Sequence, residues 1–125
     1  MKSKSFKSYE HIRLRRDFQN LYKSKNRLVS NFFVIVYIKN ELEYPRIAVS
    51  IRKKFGKAVC RNKLKRYIKE IYRLNKELFL DGYDYLFIPR KSLSARFSEI
   101  SFFEIETHLK ELMGKLKWKD SFFIW

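Results

Sequence analysis

The stretch from Arg52 to Lys69, RKKFGKAVCRNKLKRYIK, carries nine positive side chains and no negative one: Arg52, Lys53, Lys54, Lys57, Arg61, Lys63, Lys65, Arg66 and Lys69. The chemistry open to such a run is capture of anions. Arginine offers a planar fork that fits phosphate oxygens two at a time, and lysine a compact point charge. At this density the charges repel one another unless a counter-charge screens them. Nucleic acid is the natural polyanion, because each neutralised phosphate releases condensed counterions. No rival constellation accompanies the run. His11 and His108 stand apart from each other and from Cys60, so a metal or catalytic role for either is disfavoured. Three glycines do not make a phosphate-cradling loop. Glu99, Glu104, Glu106 and Glu111 read as helix caps and surface charges, and Asp81 and Asp84 flank a turn and a strand start; none forms a recognised cluster for two-metal hydrolysis.

The scaffold holding this run is bounded by composition. A chain of 125 residues with net charge +16, 46% hydrophobic and 18% aromatic, is expected to form a single domain, 1–125. At that size roughly 65% of the unfolded surface can be buried. One cysteine makes no internal disulfide and fits a reducing compartment. No apolar run approaches the ~18 residues needed to span a bilayer, and MKSKSFKSYE lacks an apolar signal segment. A membrane partner is therefore disfavoured and a cytoplasmic location expected. Residues 1–11 are basic and polar, which predicts a flexible tail.

Periodicity then predicts the elements. Phe18, Leu21 and Tyr22 fall at i, i+3 and i+4, a short amphipathic helix. Leu28 to Ile38 is rich in β-branched and aromatic residues and reads as one strand; Arg46 to Ile51 reads as another. A hairpin between these two is the simplest connection. After Gly56 the period becomes helical. Cys60, Leu64, Tyr67, Ile68, Ile71, Leu74 and Leu78 share one face, with Asn62, Arg66, Lys69 and Arg73 opposite, flanked by Arg61 and Lys65. Cys60 thus reads as a buried structural thiol. Tyr83 to Ile88 reads as a strand closed by Pro89. Phe102, Ile105, Leu109, Leu112 and Leu116 form a last helix, capped by Ser101 and Glu104 in an S-x-x-E box. The order is α, β, β, α, β, α with room for one more short strand, an α+β or α/β sandwich.

One string is more specific than its charge. KKFGKAVCRNKLKRYIKE, Lys53 to Glu70, resembles the signature of the bacterial ribonuclease P protein subunit, roughly K-K-x-G-x-A-V-x-R-N-x-x-K-R-x-x-R-E. Lys53, Lys54, Gly56, Ala58, Val59, Arg61, Asn62, Lys65, Arg66 and Glu70 match in register. Asp17-Phe18, Arg46-Ile47, Tyr83-Asp84 and Arg90 are also family-like, so the likeness spans about residues 12–117. Ala48, Arg52 and Lys69 stand where the family often has Gly, Ser and Arg, and Lys25 where it usually has Gly.

The resemblance implies an α+β fold, an αβββαβα two-layer sandwich like domain 2 of ribosomal protein S5, with a left-handed βαβ crossover. It implies a subunit of an endoribonuclease that removes the 5′ leader from precursor tRNA, with no catalytic residue in the protein. Mg²⁺ would be held mainly by the catalytic RNA and substrate, and the protein would lower the amount needed. The implied partners are the catalytic RNA, with one-to-one binding expected, and precursor tRNA. Catalytic-RNA binding would fall to Lys53, Lys54, Gly56, Lys57, Arg61, Asn62, Lys65, Arg66, Lys69 and Arg73. Gly56 would permit close approach or a positive φ. A cleft for the single-stranded leader would use Phe18, Tyr22, Phe33, Val36 and Tyr37, although Phe18 and Tyr22 read equally well as core packing. Two other readings compete: a ribosomal or general RNA-binding protein, and a self-sufficient metal-dependent nuclease.

Overall fold

The structure is a computed structural model that describes residues 5–123, with side chains described to residue 116. Helix α1 spans Arg15–Lys23; strands β1, β2 and β3 span Arg27–Val29, Phe33–Lys39 and Arg46–Val49. Helix α2 (Ala58–Leu74) leads to β4 (Tyr83–Pro89), the short α3 (Lys91–Arg96) and α4 (Phe102–Phe123). The strands form one sheet in the order β1-β2-β4-β3. β2 is antiparallel to β1 and β4, whereas β3 runs parallel to β4. The α+β architecture expected from the sequence is present.

Two local expectations change. The stretch from Leu28 to Ile38 is two strands, because Ser30 turns the chain. Its hydroxyl accepts from the amides of Phe32 (3.3 Å) and Phe33 (3.2 Å), a local side-chain bond that competes with the ladder. The hairpin between this stretch and β3 is also absent, since β4 lies between β2 and β3. Tyr85, Leu86 and Phe87 of β4 are all fully buried. A strand apolar on both faces must be central to bury both. Helix α2 is thus the crossover between parallel β3 and β4.

Strand alternation sorts the side chains into two layers. Phe33, Ile35, Ile47, Tyr85 and Phe87 join Leu64, Ile68, Ile71 and Tyr72 of α2 and Ile105, Leu109 and Leu112 of α4 in the main core. Val36, Ala48 and Leu86 face the other way and meet Ile12 and Leu21, with Phe18, Val34, Ile38 and Ile88 half-buried around them. The Ser101 half of the expected box at the α4 start is present: the Ser101 hydroxyl accepts from the Glu104 amide at 3.2 Å.

Residues 5–12 pack on the fold where composition predicts a loose tail. Ile12 donates to the Ile47 carbonyl at 3.0 Å, extending the edge beside β3. Glu10 is buried; it accepts from Lys76 Nζ at 2.8 Å, from the Lys7 amide at 3.0 Å and from the Tyr72 hydroxyl. Phe6 stacks on His11 with ring centroids 3.7 Å apart. A single carboxylate with convergent donors therefore docks a segment whose charge alone says "tail". Burial pushes the Glu10 pKa up, but the hydrogen bonds from Lys76, Tyr72 and Lys7 and the Lys76 charge outweigh it, leaving a value below the ordinary 4.5. Burial, then the Glu10 hydrogen bond, raises the Tyr72 pKa far above that of a free phenol.

A depressed carboxyl pKa stabilises the fold above the unfolded value, and this contribution is lost as pH falls through the folded value. Urea melts across a pH series should show parent stability falling below about pH 4.5, the ordinary carboxyl value. Glu10→Gln should be less stable than the parent at pH 7, with the difference narrowing on acidification. A difference independent of pH would remove the ionised carboxylate as the anchor.

Candidate nucleic-acid interface

The underside of α2 fixes what its outer side presents. Leu64, Ile68, Ile71 and Tyr72 are buried, so Lys57, Asn62, Lys63, Lys65, Arg66 and Lys69 are exposed or half-exposed along the opposite side. Lys53 and Lys54 are exposed on the 3-10 turn Lys53–Phe55 just before it. Arg61 is half-buried, and its Nε finds no acceptor among the described residues. The sequence-predicted stripe is therefore one continuous ridge, with a change at its far end. Arg73 is bound by Glu70 one turn back, with Nε to Oε2 at 3.0 Å. The pair lowers the Glu70 pKa and raises that of Arg73, so Arg73 brings less free charge than Arg66 or Lys69. Gly56 has φ 163°, which is extended backbone, and a Cβ there would meet Cys60 Cβ at an ordinary 3.5 Å. The left-handed conformation open to glycine is not adopted. Cys60 is half-buried against the core.

The second feature is the cleft between α1 and the sheet. Asp84, buried on β4, accepts from Arg46 Nε at 2.9 Å and Nη2 at 2.7 Å, and from Asn40 Nδ2 at 2.8 Å. Arg46 Nη1 reaches Asp17 on α1 at 3.3 Å. The Asp84 hydrogen bonds raise the Arg46 pKa further above its ordinary value. One guanidinium thus ties the helix to the sheet. At the other end the Tyr22 hydroxyl and the Ser50 hydroxyl lie 3.1 Å apart, with the Tyr22 ring exposed. Phe18 is half-buried against Ile12, Leu21 and Val36, so part of its ring packs inward and part faces the opening.

The sheet wall differs from the sequence expectation. Phe33 is wholly buried in the core shared with α2 and α4, and Tyr37 packs on that same core. Neither faces α1, because odd-numbered residues of β2 point away from it. Val36 has the right parity but is wholly buried. The half-exposed wall is Val34 and Ile88, neighbours in register on β2 and β4, with exposed Val29 opposite Val34 on β1. Period-2 counting from Val36 would have found Val34. The wall opens into a cavity of about 490 Å³ bordered by Ser50, Arg52, Lys54, Phe55, Arg90 and Lys91. Sequence reasoning missed Lys91; its signal is adjacency to Arg90 directly after Pro89. Among the described residues no group of three or more His, Cys, Asp or Glu is placed to hold a metal ion. His108 packs on Phe32 at 4.5 Å between centroids, and burial, helped by Lys69 and Arg13, lowers the His11 pKa. No described helix is long and apolar enough to cross a membrane.

Comparison with known proteins places this geometry. The family model described as Ribonuclease P matches residues 6–117. The ribonuclease P protein component of Petrotoga mobilis is 48% identical over 117 residues, 94% of this chain and 99% of that one. The solved ribonuclease P protein of Thermotoga maritima superposes with a TM-score of 0.80 at 40% identity, covering 85% of this chain and 96% of that one. That of Staphylococcus aureus gives 0.76 at 28% identity, covering 86% and 95%.

The tie between α1 and the sheet should be costly to break. Asp84→Ala leaves the largely buried Arg46 guanidinium with Asp17 alone and takes the Asp84 acceptor from Asn40, and removal of one partner of a buried pair costs about 3–5 kcal/mol. Urea unfolding should report a loss of that order; a loss under about 1 kcal/mol, the scale of a surface pair, would mean that Arg46 relaxes into solvent.

Proposed function

This chain belongs to the ribonuclease P protein family, and we propose that it acts as the RNA-binding cofactor of a catalytic RNA that removes 5′ leaders from precursor tRNA. The observation that carries this reading is the ridge from Lys53 to Lys69, exposed along α2 and its preceding turn, in the stretch that resembles the family's signature. A ribonuclease P protein component works in tRNA processing together with the ribonuclease P RNA.

The ridge binds the catalytic RNA. Arg61 and Arg66 offer forks to phosphate oxygens, while Lys53, Lys54, Lys57, Lys65 and Lys69 act as point charges. Asn62, the neutral member, can both donate and accept and so suits a 2′-hydroxyl or a base edge. Gly56 contributes an uncluttered backbone at the ridge's start. Fixed cations near folded RNA replace diffuse Mg²⁺ in offsetting phosphate repulsion. Mg²⁺ at the reacting phosphate is held by RNA, and hydrolysis uses no side chain of this chain.

The cleft binds the single-stranded leader. Tyr22 and the free part of Phe18 supply ring faces for bases, and Val34, Ile88 and Val29 an aliphatic floor. Stacking on a ring is worth ~1–3 kcal/mol per base; an aliphatic floor gives only area-proportional burial. The leader backbone then runs toward Arg52, Lys54, Arg90 and Lys91, where the cavity concentrates charge.

Two experiments test this. Purified protein freed of RNA should leave precursor tRNA intact, and the same protein added to a bacterial ribonuclease P RNA at low Mg²⁺ should restore 5′ leader removal. Cleavage by the protein alone, or no gain on mixing, would overturn the reading. Arg61→Ala with Lys65→Ala should also weaken catalytic-RNA binding and reduce the slope of log affinity against log salt by roughly 1 per lost phosphate contact. An unchanged slope would take both residues out of the interface.

A further inference from the structure

The charge ridge does not account for a second surface beside it. Phe103, on the first turn of α4, is 72% exposed. Its ring meets the half-exposed Phe102 edge-on at 5.7 Å, and Phe102 meets Tyr67 of α2 edge-on at 5.2 Å. Lys63 Nζ lies 5.6 Å from the centroid of Tyr67. An aromatic step therefore climbs from the ridge itself to the most exposed phenylalanine among the described residues. Neither the main core nor the α1 cleft uses Phe103.

One exposed ring is ordinary by itself, but Phe103 ends a run of ring contacts that starts on the ridge, and that continuity points to a reason. The surroundings select one. On the α2 side lie the exposed cations Lys63 and Arg66; beside Phe103 at the start of α4 lie the exposed carboxylates Glu99, on the preceding turn, and Glu104, with the exposed cation Lys110 two turns further along. A ligand with a negative backbone and a flat apolar appendage fits this asymmetry. Its phosphates are drawn toward α2 and repelled from the acidic start of α4, and its base lies over the ring. Resting on the reading that the ridge faces the catalytic RNA, we infer that Phe103, backed by Phe102 and Tyr67, is a stacking platform for an unpaired base of that RNA whose phosphates sit on Lys63 and Arg66.

Stacking and charge have different salt signatures, which makes the platform testable. Phe103→Ala removes no charge, so the slope of log affinity against log salt should stay at the parent value. Affinity for the catalytic RNA should fall about five- to a hundred-fold at every salt concentration, the range expected for loss of one stacked base. Phe103→Tyr should restore it. The exposed site makes both variants fold, and coincident thermal melts check this. Parent-like binding by Phe103→Ala would overturn the platform, as would failure of Phe103→Tyr to restore affinity. So would a dimer of the parent in sedimentation equilibrium that Phe103→Ala dissociates, since a second copy would then cover the ring. Absence of catalytic-RNA binding by the parent would instead overturn the proposed function on which the platform rests.

Discussion

The arrangement depends on the buried underside of α2. Lys57, Arg61, Lys65 and Lys69 succeed one another at four-residue spacing, and Lys63, Arg66 and Lys69 at three. Each like-charge neighbour pair on a helix costs about 0.2–0.5 kcal/mol. These five pairs amount to roughly 1–2.5 kcal/mol. Opposite them, Leu64, Ile68, Ile71 and Tyr72 are at most 1% exposed. Full burial of such side chains contributes about 1.5–3 kcal/mol each. Burial wins by a wide margin, so the helix tolerates unneutralised charge along most of its length. The Glu70–Arg73 pair shows what neutralisation looks like when it occurs, and it is confined to the last turn.

The sheet solves a separate problem, how to give one protein two unrelated surfaces. Placing β4 between β2 and β3 buries Tyr85 and Phe87 on the α2 side and Leu86 on the α1 side. The α2 side is covered by two long helices, whereas the α1 side has only the nine residues of Arg15–Lys23. That shortfall leaves Val34, Ile88 and Val29 incompletely covered and makes the cleft. Arg46 keeps α1 from sliding over the gap, because its two faces are committed to carboxylates on different elements.

Different parts of this design were legible to different degrees. The amphipathic period of α2 and α4 could be read directly, because burial on one side leaves a 3.6-residue pattern in the sequence. The exposed ridge followed from the same pattern. The cleft wall did not. Phe33 and Tyr37 are aromatic and lie near the expected position, yet parity along a strand decides which layer a residue joins, and one step reverses it. The Ser30 turn was illegible for a related reason: a single hydroxyl accepting two amides interrupts a run whose composition says only "strand". The docking of residues 5–12 turned on Glu10, one acid among lysines, whose partners Tyr72 and Lys76 lie more than sixty residues away. Long-range pairs of this kind leave no local period. The insertion of β4 was legible only in part, from its apolar character on both faces.

On the proposed reading, the two surfaces also differ in what they can distinguish. Coulombic attraction by lysine and arginine falls equally on every phosphate, so the ridge by itself binds any RNA in proportion to the contacts made. Selectivity must then come from the spacing of those contacts, which a rigid helix fixes and a flexible basic tail would not. Phosphates held by a folded RNA at matching intervals satisfy several cations at once; a disordered strand would have to lose entropy to do the same. The cleft works oppositely. Rings and aliphatic side chains accept any base, and a mobile strand can adapt to them. A fixed ridge suits a fixed RNA and a tolerant cleft suits a varied leader. The thin covering of the α1 side, which looks like a deficiency of packing, is what keeps that second surface open.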